Sequence, residues 1–143
     1  MDIETATTTD LPVILALATR AFGGESPWPL TSFAHALESP RGAIFVVRAS
    51  DEMAGFVVVT QMFDELEIDL LAVAPDFQRR GVAQLLLAYV QKLPQVARLL
   101  LEVAADNPQA IALYEKFGFD TYAVRKNYYQ KRGVDALMME KTL

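Results

Sequence analysis

Leu71-Ala72-Val73-Ala74-Pro75-Asp76-Phe77-Gln78-Arg79-Arg80-Gly81-Val82-Ala83 is the stretch that decides how this chain folds. An apolar strand ends, a turn follows at Pro75, and a helix opens at Gly81. The first N–H groups of a helix have no partner within it. Together with the aligned peptide dipoles they form an anion site. Gly81 and Ala83 keep bulky side chains away, so a diphosphate can approach the main chain. Arg79 and Arg80 add positive charge. No Gly-Lys-Ser/Thr is present, so this is not a Walker loop, and the dinucleotide pattern G-x-G-x-x-G is absent as well. The competing reading is an ordinary helix start with two exposed arginines.

Downstream of the loop, Val82, Leu85, Leu86, Tyr89, Val90 and Leu93 recur at helical spacing. Pro94 ends that helix. Arg98–Val103 predicts a strand, and its three consecutive leucines suit a strand covered on both faces. Asn107 is placed to cap the next helix, with Pro108 in its first position. Ala110, Leu113, Tyr114 and Phe117 form the apolar stripe of that helix, and Gly118 stops it. Two strands, about Phe119–Lys126 and Val134–Lys141, read as a hairpin with Arg132–Gly133 near its turn.

Upstream, Ile3–Thr7 predicts a strand, and Asp10 is placed to cap a helix reaching about Phe22. Thr31 or Ser32 opens a second helix that ends before Pro40. Ala43–Arg48 and Gly55–Met62 predict strands. In Glu65–Val73 the alternation puts Glu65, Glu67 and Asp69 on one face and Leu66, Ile68 and Leu70 on the other. The order is β-α-α-β-β-β-α-β-α-β-β. It predicts an α/β (α+β) fold with one mixed sheet and helices on both faces.

The length of 143 residues fits one domain over residues 1–143. Apolar residues make up 52% and charged residues 22%, a globular composition. Cysteine is absent, which excludes disulfides, zinc-thiolate sites and a cysteine nucleophile. His35 is the one histidine, so no multi-histidine metal site forms within a chain, and no metal is expected. A net charge of −5 argues against nucleic acid as the main ligand and suits a basic peptide or free amine. No apolar stretch is long enough to span a bilayer. The opening MDIETATTTD is acidic and polar, unlike a secretion signal. A cytoplasmic protein is expected, as a monomer or weak dimer.

Four segments bring out a family resemblance: Pro27–Leu37 (PWPLTSFAHAL), Leu71–Leu87 (LAVAPDFQRRGVAQLLL), Leu101–Phe119 (LEVAADNPQAIALYEKFGF) and Arg125–Tyr129 (RKNYY), the last followed by Asp135-Ala136-Leu137-Met138. Nearly the whole chain resembles the GNAT superfamily of N-acetyltransferases. The loop after Phe77 matches that family's Q/R-x-x-G-x-G/A motif. The first and last segments are similar to the RimI branch, which acetylates the N-terminal alanine of a ribosomal protein. Three positions depart from the pattern. Ala83 stands for the commoner second glycine, Ala74 for a frequent polar or acidic residue, and Gln130 for a frequent proline.

The resemblance implies a mostly antiparallel twisted sheet. It also implies acetyl-CoA as donor, with its diphosphate on the main chain of Gln78, Arg79, Arg80, Gly81, Val82, Ala83 and Gln84. Its pantetheine arm would pair along Leu71, Ala72 and Val73, with Asn107 in reach. The amine would attack the thioester directly, without a covalent enzyme intermediate.

The resemblance implies Glu102 as general base. The sequence itself offers burial beside Leu99-Leu100-Leu101, which would raise its pKa, or a strand-end Glu that is solvated or paired with Arg. Tyr114 matches the family's acid, which protonates the departing thiolate, and it also belongs to an apolar stripe. Tyr128 and Tyr129 either line a peptide entrance, with Asn127 and Arg125 nearby, or form aromatic cross-strand pairs. Trp28 either covers the acceptor cleft or anchors its Pro-rich loop. Glu65, Glu67 and Asp69 either attract a basic peptide or form a solvated strand face. A protein α-amine, a lysine or small-molecule amine, and a role in binding acyl-CoA without turnover are the functions to be separated.

Overall fold

The computed structural model describes residues 1–129 and 133–143. The element order is the expected one: β1 (Asp2–Thr5), α1 (Leu11–Ala21), α2 (Leu30–Glu38), β2 (Gly42–Ala49), β3 (Glu52–Met62), β4 (Glu65–Val73), α3 (Val82–Val90), β5 (Arg98–Ala104), α4 (Pro108–Lys116), β6 (Asp120–Tyr129) and β7 (Val134–Thr142). Gly133 precedes β7 as predicted, and Arg132 lies outside the described residues.

The strands form one sheet in the order β1-β2-β3-β4-β5-β7-β6. Every neighbouring pair is antiparallel except β4 and β5. Alternation along β2 and β3 builds two cores. Phe45, Val57 and Val59 face one side, where Val82, Leu86, Leu87 and Val90 of α3 and Tyr114 of α4 pack. Val46, Phe56 and Val58 face the other, against Ile14, Leu17 and Ala18 of α1 and Phe33 of α2. Gly55 allows this closeness, because a Cβ there would lie 2.7 Å from a Val82 methyl and 2.9 Å from the Ala72 carbonyl.

Phe56 is fully buried and meets Phe33 edge-on at 5.6 Å. Deleting a core aromatic ring leaves a cavity that a packed interior cannot close. Phe56→Ala is therefore expected to lower stability by about 3–5 kcal/mol, measured by urea unfolding.

The parallel pair sets up the site. Residues Glu65, Leu66, Glu67 and Ile68 pair with Arg98, Leu99, Leu100 and Leu101, and there the ladder stops. Yet β4 continues to Val73 and β5 to Ala104. The two strands part at their carboxyl ends. At the other end Arg98 ties them, bridging Glu65 at 2.6 Å and also Glu140 of β7.

Five expectations change. α2 opens at Leu30 with Pro29 in the cap position, so neither Thr31 nor Ser32 starts it. Asp10 makes no side-chain cap to α1. Its carboxylate accepts from the Thr7 N–H at 2.9 Å and from Arg48 at 2.6 Å, stitching the start of α1 to β2. The alternation of β4 breaks at a bulge, where Val58 pairs with Leu70 and Val59 with Ile68, leaving Asp69 as the extra residue. Leu66 and Ile68 therefore face α3, while Leu70 packs on the α1–α2 side. α3 ends at Val90, and Leu93 reaches the core from the turn that follows. β5 alternates as well: Leu99, Leu101 and Val103 are buried, and Leu100 and Glu102 are only half-buried. Neither of those two enters the α1–α2 core, so this face of β5 is left partly open.

Candidate functional site

Ligands of open sheets settle in the crevice beyond the carboxyl ends of parallel strands. Here that crevice is the gap where β4 and β5 diverge. The loop after β4 leads into α3 and the loop after β5 into α4, so both helix starts border it.

The first of these loops begins as a short 3-10 turn, Pro75–Phe77. Arg79 (φ +63°) and Gly81 (φ +81°) then take left-handed conformations. For the arginine this backbone costs roughly 1–2 kcal/mol, and no residue pattern signals it. Such turns curl successive N–H groups into an anion-binding concavity. The first N–H of α3 with a main-chain acceptor is that of Leu85, bonded to the Gly81 carbonyl at 2.9 Å. Among the described residues, the N–H groups from Arg79 to Gln84 have no such acceptor. A Cβ built on Gly81 meets nothing within 4 Å, so the space above the loop is open. The loop fits a diphosphate both in its free donors and in its room. Arg80 lies over the Phe77 ring at 5.3 Å, and Arg79 and Arg80 are both exposed.

Asn107 caps α4 as expected, accepting from the Ala110 N–H at 3.1 Å. Tyr114 lies on the α3–α4 side of the sheet, 9% exposed, with its ring edge-on to Phe119 at 5.7 Å. Burial pushes its phenol up to about 12. No buried side-chain oxygen or nitrogen among the described residues lacks a partner. Among the described residues the Tyr114 hydroxyl has no hydrogen-bond partner, and its oxygen keeps only slight contact with solvent.

Glu102 sits on the opposite, partly open face. Its side chain is 26% exposed, and Arg125 Nε stands 3.3 Å from its carboxylate. Of the two settings the sequence offered, a lone buried carboxylate and a strand-end glutamate paired with arginine, the geometry matches the second. Arg125 belongs to the edge strand β6, which is mostly exposed. It also stacks over the Tyr128 ring at 5.4 Å. Tyr128 and Tyr129 meet edge-on at 5.2 Å, with Tyr128 beneath the Arg125 guanidinium. Asn127 (φ +51°) interrupts this strand, and its N–H donates to Asp135 at 2.8 Å. That bond, with Lys126 nearby, holds the Asp135 carboxyl below its ordinary value.

Trp28 anchors its loop and also borders an open cleft. Its ring packs on Phe33 at 5.3 Å, and it also lines a cleft of about 470 Å³ on the Glu102 side of the sheet. A larger hollow, about 710 Å³, lies away from this chemistry, beyond the far end of α3 between Pro40, Phe63 and Pro94. Partial burial pushes the Glu67 carboxyl up, and the nearby Asp69 and Glu102 charges add to this while Arg125 opposes it. An arginine partner for Glu102 was one of the readings of the sequence, though not which arginine, and the bulge at Asp69 went unread. The bulge had a signal, since Asp69-Leu70-Leu71 breaks the alternation of the residues before it.

The family model described as "Acetyltransferase (GNAT) family" matches residues 11–119. The chain belongs to the GNAT acetyltransferase family. GNAT relatives extend the match across most of the chain. A [ribosomal protein bS18]-alanine N-acetyltransferase of Salmonella typhimurium is 38% identical over 130 residues, covering 89% of this chain and 86% of the relative. An uncharacterized protein of Mycobacterium leprae is 32% identical over 143 residues, covering 97% of this chain, which spans only 40% of that longer relative. The crystal structure of the ribosomal-protein-S18-alanine N-acetyltransferase from Escherichia coli superimposes with a TM-score of 0.90 at 36% identity, covering 99% of this chain and 92% of that one. The shared fold extends to a GNAT enzyme of Elizabethkingia anophelis with acetyl-CoA bound, at a TM-score of 0.82 and 22% identity. The chain is therefore an acyltransferase of a family that takes its acetyl group from acetyl-CoA.

Proposed function

We propose that this acetyltransferase acts on the α-amine of a protein N-terminus, with an alanine-initiated ribosomal protein as its acceptor. The reading rests above all on the gap between β4 and β5, which has Glu102 on one face of the sheet and Tyr114 on the other. A donor lying in the α3–α4 side of the gap and an amine arriving from the open side of β5 would meet there. The names of the Salmonella and Escherichia coli relatives support the acceptor.

Bound acetyl-CoA supplies an activated thioester carbonyl. The N–H groups from Arg79 to Gln84 hold its diphosphate. Beyond Ile68, the β5-facing edge of β4 has no strand partner, so the main chain of Leu71–Val73 pairs with the pantetheine arm as an added strand. An N–H of that edge would be available to stabilise negative charge on the thioester oxygen. Glu102 takes the proton that the attacking amine loses, while Tyr114 donates a hydrogen bond to the sulfur as the carbon–sulfur bond breaks. A protein α-amine has a pKa of about 7.7–8.0, so a modest base suffices near neutral pH. The ribosomal acceptor places the enzyme in the cytoplasm.

Incubation with acetyl-CoA and an alanine-initiated peptide, an N-blocked lysine peptide or spermidine tests this by mass spectrometry. One acetyl group on the peptide α-amine is expected. Acetylation of only the lysine or the polyamine would overturn the acceptor, and tight acetyl-CoA binding without any product would make the chain a binding module.

A further inference from the structure

The cleft beside Trp28 has a charged floor that acetyl transfer itself does not require. Trp28, Thr31, Ser32, His35, Thr60 and Asp69 line it. Asp69 reaches it because of the bulge: the extra residue of β4 turns toward the α1–α2 side with Leu70, away from the core under α3. The Thr60 hydroxyl donates to Asp69 Oδ2 at 2.6 Å and fixes the carboxylate. Among the described residues the other oxygen, Oδ1, has no hydrogen-bond partner, and no lysine or arginine pairs with Asp69. Partial burial pushes this carboxyl above its ordinary range, while the Thr60 bond opposes the rise. A half-buried carboxylate with a free oxygen and no counter-charge is costly to keep unless something cationic meets it.

Its position relates it to the reacting amine. In the parallel ladder Glu67 stands opposite Leu100. Glu67 in turn lies within electrostatic reach of both Asp69 and Glu102, so the two carboxylates flank it on the side of the sheet away from α3. The cleft runs from Asp69 under α2 toward Ser39 and Gly42, away from β5.

We infer that this cleft takes a cationic side chain from one of the first residues of the acceptor, and that Asp69 is a specificity-determining residue for lysine or arginine there. The inference deepens the α-amine reading and rests on it. The Asp69 carboxylate forms an ion pair with the incoming side chain, and Trp28 provides an aromatic wall on which its stem or charge packs.

Trp28 is the single tryptophan of the chain, so its fluorescence reports on this cleft with or without turnover. Alanine-initiated peptides that differ only in arginine or glutamine at the second and third positions are the probes. The wild type is expected to bind and acetylate the arginine peptides about tenfold better, as suits one charge-assisted bond, with the difference in KM and not in kcat. Asp69→Asn removes this preference, and Thr60→Val, which frees the carboxylate, reduces it. Equal binding of both peptides by the wild type, or a preference that survives in Asp69→Asn, would overturn the inference. Fluorescence preference for arginine without any acetylation would support the cleft while removing the α-amine reading, so the two can fail separately.

Discussion

Glu102→Gln is expected to lower kcat/KM for an N-terminal peptide about 10²-fold at pH 7, at the low end of what a general base contributes. The loss is bounded by the substrate. An α-amine with a pKa of about 8 is already partly neutral there, so Glu102 has only to receive the proton released as the bond forms. The deficit should narrow as pH rises to about 9, where the free amine dominates without help. Glutamine keeps the shape of glutamate, and its carbonyl can still accept from the Arg125 Nε that now stands 3.3 Å from the carboxylate. Folding should be unaffected, since the side chain is outside both cores. Acetyl-CoA affinity should also hold, because the diphosphate loop lies on another element. The checks are a pH–rate profile from 6 to 9 and a calorimetric titration with acetyl-CoA. Equal rates for wild type and variant across that range would remove Glu102 as base. A parallel drop in acetyl-CoA affinity would make its role structural.

The pairing of Glu102 shows where sequence reasoning reached its limit. Leu99-Leu100-Leu101 suggested a strand covered on both sides, and a glutamate following it suggested a stranded charge. In the fold, Leu99 and Leu101 are buried, whereas Leu100 and Glu102 face a side that α1 and α2 do not cover. Period two along a strand is local and legible, but which face a neighbouring layer reaches is a tertiary matter. The same holds for Arg125, whose contact with Glu102 spans two strands placed together only by the insertion of β7 between β5 and β6.

Local chemistry was easier to read. Asn107-Pro108 capped its helix as expected, because a cap involves residues within one turn. Gly81 opened α3 in a left-handed conformation that glycine tolerates. Asp10 shows that even a cap can lose to a longer-range partner. Arg48 of β2 adds an opposite charge to the bond it offers, and Asp10 turns to it and to the Thr7 N–H instead. That pair, with the Thr7 bond, holds the Asp10 carboxyl below its ordinary value, although its burial acts the other way. The bulge at Asp69 falls between these cases. Its sequence signal was visible, but its meaning depended on pairing with β3.

Tyr114→Phe is expected to lower kcat by about 10²-fold while leaving the fold intact. The ring remains, so its edge-on contact with Phe119 survives. Among the described residues the hydroxyl has no hydrogen-bond partner, so its removal orphans none of them. The size of the rate loss follows from the acidities. With its pKa near 12 the phenol stays protonated at every working pH. A thiol resembling cysteine has a pKa of about 8.5, so complete transfer of the phenolic proton to the thiolate would be uphill by about three to four units. Tyr114 therefore acts chiefly by donating a hydrogen bond to charge building on the sulfur. A second measurement isolates the phenol from catalysis. Its folded pKa is above the unfolded value, so the stability it contributes is complete below about pH 10 and lost as pH rises toward 12. Relative to Tyr114→Phe, the wild type should lose roughly 1.4 kcal/mol by pH 11, about one pKa unit of linkage. Urea unfolding at pH 8 and pH 11 reads this directly. Full turnover in the variant would remove Tyr114 from the reaction, and parallel stability curves would place its phenol in solvent.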